Sequence, residues 1–454
     1  MPIITQKRIF DHEMQLGTLP IHYLCAQLYR YMLPIQLFRQ NKELVLEGLK
    51  KKNFKELDLV DTIIALDERR RALQVENDTN AAAANSAAKA ISQHMAKGEK
   101  EQAEALKAQV TANKERTKQI AQDLSDLENE LNDTVVRLPN LPHSSVPAGK
   151  TPEENEIVRS GGTMPSLGGN NMPHWELADK YKLIDFELGN KITGSGFPVF
   201  MGQGARLQRA LINYFLNFNM EAGYKEYCPP FMVNAATAYG TGQLPDKEGQ
   251  MYHVTEDGFY LIPTAEVPIT NIYRDVIVPE SELPVKMTAY SPCFRREAGS
   301  YGKDVRGLNR VHQFDKVEIV QLSRPAESYE MLDGMVAHVE KLLQSLELPY
   351  RILRLCGGDM SFTSALTFDF EVFSAAQERW LEVSSVSNFE VFQANRMKIR
   401  YKGADGKTQL VHTLNGSSLA LPRIMACLLE NNQTADGIKI PAALQPYFGK
   451  DMIS

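Results

Sequence analysis

The stretch Phe294-Arg295-Arg296-Glu297-Ala298-Gly299, followed after a polar loop by His312-Gln313-Phe314-Asp315-Lys316-Val317-Glu318, decides how this chain folds. Two strand-like runs, Met287–Gly299 and Val311–Leu322, enclose a loop that carries Lys303 and Arg306, which reads as a long hairpin. Residues two apart on a strand share a face, so Arg295 and Glu297 are expected to point the same way. A fixed guanidinium can clamp a phosphate through two parallel hydrogen bonds, and a carboxylate beside it can accept an exocyclic amine. The same pair also suits a surface ion-pair ladder, so the hairpin alone leaves both readings open.

Three further stretches carry candidate chemistry. In Pro263-Thr264-Ala265-Glu266 a hydroxyl and a carboxylate on one strand face could hold an ammonium group. In Leu381-Glu382-Val383-Ser384-Ser385-Val386-Ser387-Asn388-Phe389 a carboxylate and a hydroxyl three residues apart could reach one divalent cation, or could cap a helix start. In His412 to Arg423 a strand is expected to end at Asn415-Gly416-Ser417, with Arg423 in the early turns of the helix that follows. Arginine there can stack on a purine, with Phe314 as an opposite wall, or stand as an ordinary exposed helix charge. Around these stretches, strands separated by turns and longer helices lack a regular strand–helix alternation. An α+β domain with an antiparallel sheet flanked by helices is expected.

The N-terminal third follows another rule. Between Lys55 and Leu138 there is no proline, and Gly98 is the only glycine. Ala103, Leu106, Val110, Asn113, Thr117, Ile120, Leu124, Leu127, Leu131, Thr134 and Leu138 recur at alternating spacings of three and four, as in a coiled-coil seam. The matching register before the turn is Leu59, Ile63, Leu66, Arg70, Leu73, Asn77, Asn80, Ala84, Ala87, Ile91 and His94, which thins into alanine and asparagine. Lys97-Gly98-Glu99 suits the reversal, and two helices of roughly 40 residues, about 60 Å each, are expected to pack antiparallel. Taken alone, such an arm could equally serve as a dimerisation coiled coil or a spacer. Leu138-Pro139-Asn140-Leu141-Pro142 stops the second helix.

At 454 residues, more than one domain is expected, and 43% hydrophobic residues supply a large core. The net charge of −6 requires any nucleic-acid partner to meet a local basic patch. Cys25, Cys228, Cys293, Cys356 and Cys427 lie far apart without metal-ligand spacing, which points to a reducing compartment and no cysteine-built zinc site. No apolar run long enough to span a bilayer appears, and the N-terminus does not read as a secretory leader, so a cytoplasmic setting is expected.

In this order, behind a heptad arm, the motifs resemble the bacterial-type seryl-tRNA synthetases, a class II aminoacyl-tRNA synthetase family, over about residues 32–450. CFRREAG (293–299) resembles the second motif of the class. The helix leading to Pro229-Pro230 resembles the first, and NGSSLALPRIMACLLENNQ (415–433) the third. TAEVPIT (264–270), VHQFDKVE (311–318) and EVSSVSNFEVFQANR (382–396) resemble strings particular to the seryl family.

The resemblance implies the following roles. Thr264, Ala265 and Glu266 would bind the serine ammonium, Glu318 the serine hydroxyl with Ser417 close by, and Asn388 would line the serine and nucleotide site. Arg295 would bridge the serine carboxylate and the α-phosphate. Arg296, Glu297, Val383 and Ser384 would contact ATP, with Glu297 on the base and Arg306 at the γ-phosphate end. Phe314 and Arg423 would sandwich adenine, while Glu382 and Ser385 would hold Mg2+. Arg295, Glu382 and Arg423 would be the catalytic set, and no zinc is implied.

The same resemblance implies a homodimer whose partners are L-serine, ATP, tRNA(Ser) and, where present, tRNA(Sec), with no membrane. The implied division is an N-terminal extension (1–31), a tRNA-binding helical arm domain (32–142), a linker (143–172) and a class II catalytic domain (173–454). Lys89, Lys97, Lys100, Lys107, Lys114 and Arg116 on the arm would meet phosphates. The chain departs from the family in carrying Ser418 where a small residue is usual, and in residues 1–31, which have no counterpart. Synthetases for threonine, proline or histidine usually carry an anticodon-binding domain after the catalytic one. An amino-acid ligase for a carrier protein shares the core but lacks the arm.

Overall fold

The computed structural model describes residues 33–169, 171–246, 248–298 and 306–454. The extension 1–31, Gly299 and Lys303 lie outside them. Two compact units emerge, Thr62–Thr134 on one side and residues 33–61 with Val135–Ser454 on the other.

After two short helices, α1 (Ile35–Gln40) and α2 (Lys42–Lys51), the chain forms α3 (Leu59–Lys97) and α4 (Lys100–Val135). Every residue of the two seam registers is buried or half-buried, as a heptad seam requires. Ile63 and Leu66 are buried, whereas positions from Arg70 to His94 are only half-buried, because alanine and asparagine offer little to pack. Arg116 reaches Glu76 across the helix pair at 2.7 Å. Asp67, 1% exposed, pairs with Arg70 at 2.9 Å where the seam turns polar. Gly98 ends α3 with φ +79°, a conformation glycine adopts without steric cost.

The larger unit is built on an eight-stranded sheet. In chain order its strands are β1 (Glu156–Gly161), β2 (Lys225–Glu226), β3 (Val285–Phe294), β4 (Gln313–Ser323), β5 (Tyr350–Arg354), β6 (Leu366–Ser374), β7 (Arg379–Asn388) and β8 (His412–Ala420). They lie in the order β1-β5-β6-β7-β8-β4-β3-β2. All neighbours are antiparallel except β2 and β3, which run parallel. Helices α5 (Gly202–Glu221), α6 (Ser328–Ser345) and α7 (Leu421–Asn431) pack on the sheet. Their apolar residues, such as Phe215, Leu342 and Leu428, share one core with Val317, Ile319, Phe370 and Val383. On β4, Val317 and Ile319 enter that core, so the alternate residues Phe314, Lys316 and Glu318 face away from it. The antiparallel α+β expectation is met.

Two local readings differ from the structure. Glu156–Gly161, inside the Gly-, Pro- and Ser-rich stretch read as a linker, pairs with β5 as the edge of the sheet. Its composition hides a strand that is mostly exposed and so lacks an apolar alternation. The strand through Asn415-Gly416-Ser417 does not stop there. Its pairing runs on to Ala420, opposite Lys316, and α7 begins at Leu421, which places Arg423 at the third helical position.

Candidate active site

The face of the sheet opposite the helices carries a cavity of about 630 Å³. Phe314, Lys316 and Glu318 of β4 line it, as the two-residue period of a strand requires. Glu318 stands directly opposite Ser417 of β8, which also lines the cavity together with Asn415. The closeness of Glu318 and Ser417 is thus fixed by register.

Glu382 and Ser385 both line the cavity although they are three apart, a spacing that puts residues on opposite faces of a regular strand. A bulge resolves this. Ser384 pairs with Phe370 and Glu382 with Glu371, so β7 advances two residues for one on β6 and Val383 is the extra one. The stretch is therefore a bulged strand and not a capped helix start. Asn388 falls on the wrong face. Ser387 lines the cavity, while Asn388 is fully buried beneath it, donating to Ser328 Oγ at 3.1 Å and accepting the Glu390 N–H at 2.8 Å.

The expectations for Arg295 and for Thr264 need correction in their local geometry. β3 ends at Phe294, and Glu297 has φ +49°, so strand alternation does not relate Arg295 to Glu297. Both line the cavity nonetheless. Arg295 N–H still donates to His312 O at 2.9 Å, and its guanidinium lies 5.3 Å from the Phe314 ring centre. Glu297 pairs with Arg310 at 3.2 Å. Thr264 and Glu266 are not on a strand but at the start of a short helix, Glu266–Asn271. Proline and threonine break the strand pattern there, and the turn still brings both side chains into the cavity.

At this end three carboxylate-bearing and cationic groups meet. Thr264 Oγ1 donates to Glu318 Oε2 at 3.1 Å, and Lys316 Nζ lies 2.5 Å from the same oxygen. Gln393 Nε2 donates to Glu266 Oε1 at 2.7 Å. Burial, then the charge of Glu318, pushes the Glu266 carboxyl up to about 7, with the Gln393 and Asn415 side chains opposing. A pocket of buried acceptors with one carboxylate held near neutrality is suited to an ammonium that brings its own positive charge.

At the other end Arg423 Nη1 donates to Glu382 O at 2.7 Å and Nε to Asn309 O at 3.0 Å. Neighbouring Leu308 is held by the buried His174, whose Nε2 accepts its N–H at 2.8 Å. Beneath Ser385 lies the Asp369 carboxyl, raised well above its usual range by burial and then by Glu382, and its Oδ1 has no hydrogen-bond partner.

Of the residues singled out from the sequence, Thr264, Glu266, Arg295, Glu297, Phe314, Glu318, Glu382, Val383, Ser384, Ser385, Ser417 and Arg423 line this one cavity. Ala265, Arg296, Arg306 and Asn388 do not. Ala265 is fully buried in an apolar cluster, Arg296 is exposed, and Arg306 stacks 4.6 Å from the Trp175 ring centre. Lys316, Asn415 and Gln393 were missed. Lys316 was discoverable, since it shares the β4 face with Phe314 and Glu318. Gln393 carries no local signal because only the tertiary fold brings it to Glu266.

Lys89, Lys97, Lys100, Lys107, Lys114 and Arg116 are all exposed on the helix pair, with Lys107 held by Glu104 at 2.7 Å. Among the described residues no group of three or more His, Cys, Asp or Glu side chains is placed to hold a metal, and no helix is long and apolar enough to cross a membrane.

Comparison with known proteins gives a consistent result. Residues 32–142 match the model of the seryl-tRNA synthetase N-terminal domain, and residues 252–432 that of the class II tRNA synthetase core domain (G, H, P, S and T). The chain is 50% identical over 420 residues to the serine–tRNA ligase of Salinibacter ruber, covering 92% of this chain and 98% of that one. Its structure resembles the seryl-tRNA synthetase of Pyrococcus horikoshii complexed with ATP, with a TM-score of 0.87 at 33% identity over 93% of this chain and 99% of that one. It also resembles the cytoplasmic serine–tRNA ligase of Naegleria fowleri in complex with AMP, with a TM-score of 0.84 at 28% identity over 94% and 99%.

Proposed function

The chain belongs to the seryl-tRNA synthetases of class II, and from that membership we propose how its cavity divides the work of the reaction. L-serine is activated with ATP to seryl-adenylate, and the seryl group then passes to the 3′ end of tRNA(Ser). The observation that carries the assignment of the serine end is the cross-strand pair Glu318 and Ser417, with Thr264 donating to Glu318 and Glu266 beside them.

Glu318 accepts the serine hydroxyl, and Thr264 and Glu266 receive the ammonium. Alanine would leave the buried Glu318 acceptor without its partner, a mismatch that discriminates by about four orders of magnitude, whereas threonine must be excluded by size. Arg295 neutralises the serine carboxylate and the α-phosphate as they approach, a role supported by its guanidinium lying against Phe314 on the cavity wall. The carboxylate is already ionised at neutral pH, so the first step needs no general base. Phe314 and Arg423 flank adenine, and Glu297 contacts the base.

Oxygen donors suit a hard divalent cation, and the Glu382 and Ser385 pair that the β7 bulge turns into the cavity fits one. Two protein donors leave most of the coordination sphere to phosphate oxygens and water, so Mg2+ would be held only together with ATP. Bound there, it would offset charge on the phosphates as pyrophosphate leaves. No zinc is required.

The arm serves tRNA(Ser), and tRNA(Sec) where present, through the exposed Lys89, Lys97, Lys100, Lys107, Lys114 and Arg116. The protein works as a homodimer in the cytoplasm, where tRNA and ATP are found. Exposed apolar residues after Pro229-Pro230, among them Phe231, Met232 and Phe259, support the dimer. A strictly monomeric active species in solution would contradict it. The test of the site is serine-dependent ATP–pyrophosphate exchange: Glu318→Ala and Glu382→Gln should each lose at least about a hundredfold in kcat/KM. Full activity in either would remove that residue from its role.

A further inference from the structure

Lys52 and Asn140 belong to the N-terminal segment 32–142, yet between them they engage all four backbone carbonyls of the loop Ser361-Phe362-Thr363-Ser364. Lys52 Nζ donates to Ser361 O at 2.6 Å and to Ser364 O at 2.7 Å. Asn140 donates its backbone N–H to Phe362 O and its Nδ2 to Thr363 O, both at 2.9 Å, and the same Nδ2 reaches Phe389 O at 2.9 Å. The loop is irregular, so without these donors its carbonyls would lack partners in any helix or strand. Ser361, Phe362, Thr363 and Phe389 all line the catalytic cavity.

The wall they form lies at the amino-acid end. Thr363 packs so closely on Gly242 that a Cβ there would come within 2.4 Å of its methyl group. The carbonyl of adjacent Thr241 accepts Gln393 Nε2 at 3.1 Å, and that amide also donates to Glu266 at 2.7 Å. Lys52 is a poor choice for stability alone. Burial pulls its ammonium down to about 7, and among the described residues its hydrogen-bond partners are two carbonyls, with no carboxylate to offset the charge.

We propose that Lys52 and Asn140 are positioning residues for serine activation, through which the N-terminal domain sets the serine wall of the cavity before any tRNA is engaged. The proposal rests on reading the cavity as the site of serine activation. It makes the N-terminal domain part of the first half-reaction and not only a tRNA-binding appendage.

The test is ATP–pyrophosphate exchange by the full-length protein without tRNA, with melting temperature recorded beside it. Lys52→Met and Asn140→Ala should each raise the serine KM roughly five- to tenfold, leaving the ATP KM within about twofold, and Lys52→Arg should restore most of the loss. Unchanged serine KM in the folded variants overturns the proposal, and so does a joint rise of both KM values, which is what a merely structural role gives. Should Lys52→Met fail to fold, Asn140→Ala decides, since it keeps the backbone bond to Phe362. The wild-type enzyme separates the two ideas. Absence of serine-dependent exchange there defeats the reading of the cavity, whereas normal wild-type exchange with unaffected variants defeats only the role of Lys52 and Asn140.

Discussion

Gln393 holds Glu266 from one side, donating Nε2–H to its Oε1 at 2.7 Å while its own Oε1 accepts the Thr413 hydroxyl at 2.7 Å. The amide cannot turn without losing one of these bonds, so the carboxylate that would meet the substrate ammonium is fixed before serine arrives.

A pH dependence follows from this carboxylate. Burial and Glu318 raise the Glu266 carboxyl to about 7, above its unfolded value, so the stability it confers is complete at low pH and is lost as pH rises through about 7. The free enzyme therefore carries a destabilising ionised Glu266 at pH 8. Glu266→Gln should gain up to about 3 kcal/mol over wild type at pH 8, under about 1 kcal/mol at pH 5 and nothing at pH 3, by chemical denaturation. In its proposed role Glu266 meets the serine ammonium in the ionised form, so the wild-type serine KM should rise as pH falls below 7. A pH-independent stability difference would contradict the account.

Lys316 and Glu318 form a buried pair, and removing one partner differs from removing both. Glu318→Gln leaves the Lys316 ammonium, 8% exposed in its side chain, without its carboxylate and should cost about 3 kcal/mol of stability. Adding Lys316→Met should recover most of that loss in a urea titration. Equal stability of the single and double variants would show that the pair is not energetically coupled.

His174 has a fixed tautomer. Its Nε2 accepts the Leu308 N–H at 2.8 Å, so its proton sits on Nδ1 and is donated to Glu430 Oε1 at 2.7 Å. Through Leu308 it steadies Asn309, whose carbonyl receives Arg423. His174→Phe should raise the ATP KM about five- to tenfold with the serine KM little changed. A reversed pattern would separate this histidine from the nucleotide end.

The arm can be tested apart from the chemistry. Deleting residues 60–134 should spare serine-dependent exchange and abolish tRNA charging, measured as acid-precipitable seryl-tRNA. Equal loss of both would argue against a role confined to RNA.

What the sequence revealed and what it hid have physical causes. Heptad spacing is a local property, so the paired α3 and α4 and the turn at Gly98 were legible residue by residue. Register was partly legible: period two on β4 gives Phe314 and Glu318, and the same period should have given Lys316. Bulges and left-handed residues were not. The extra residue Val383 and the positive φ of Glu297 depend on contacts outside their own stretches, so counting along the strand failed for the Arg295–Glu297 pair, and Asn388, assigned by resemblance, lies beneath the cavity. Contacts such as those of Lys52 with Ser361 and Ser364 span more than 300 residues and leave no local trace.

The central claim is that this cavity selects and activates serine. ATP–pyrophosphate exchange measured with each of the twenty amino acids tests it most directly. Serine should give the highest kcat/KM, with alanine lower by about four orders of magnitude and threonine strongly disfavoured. Preference for any other amino acid, or exchange that does not depend on an added amino acid, would contradict it.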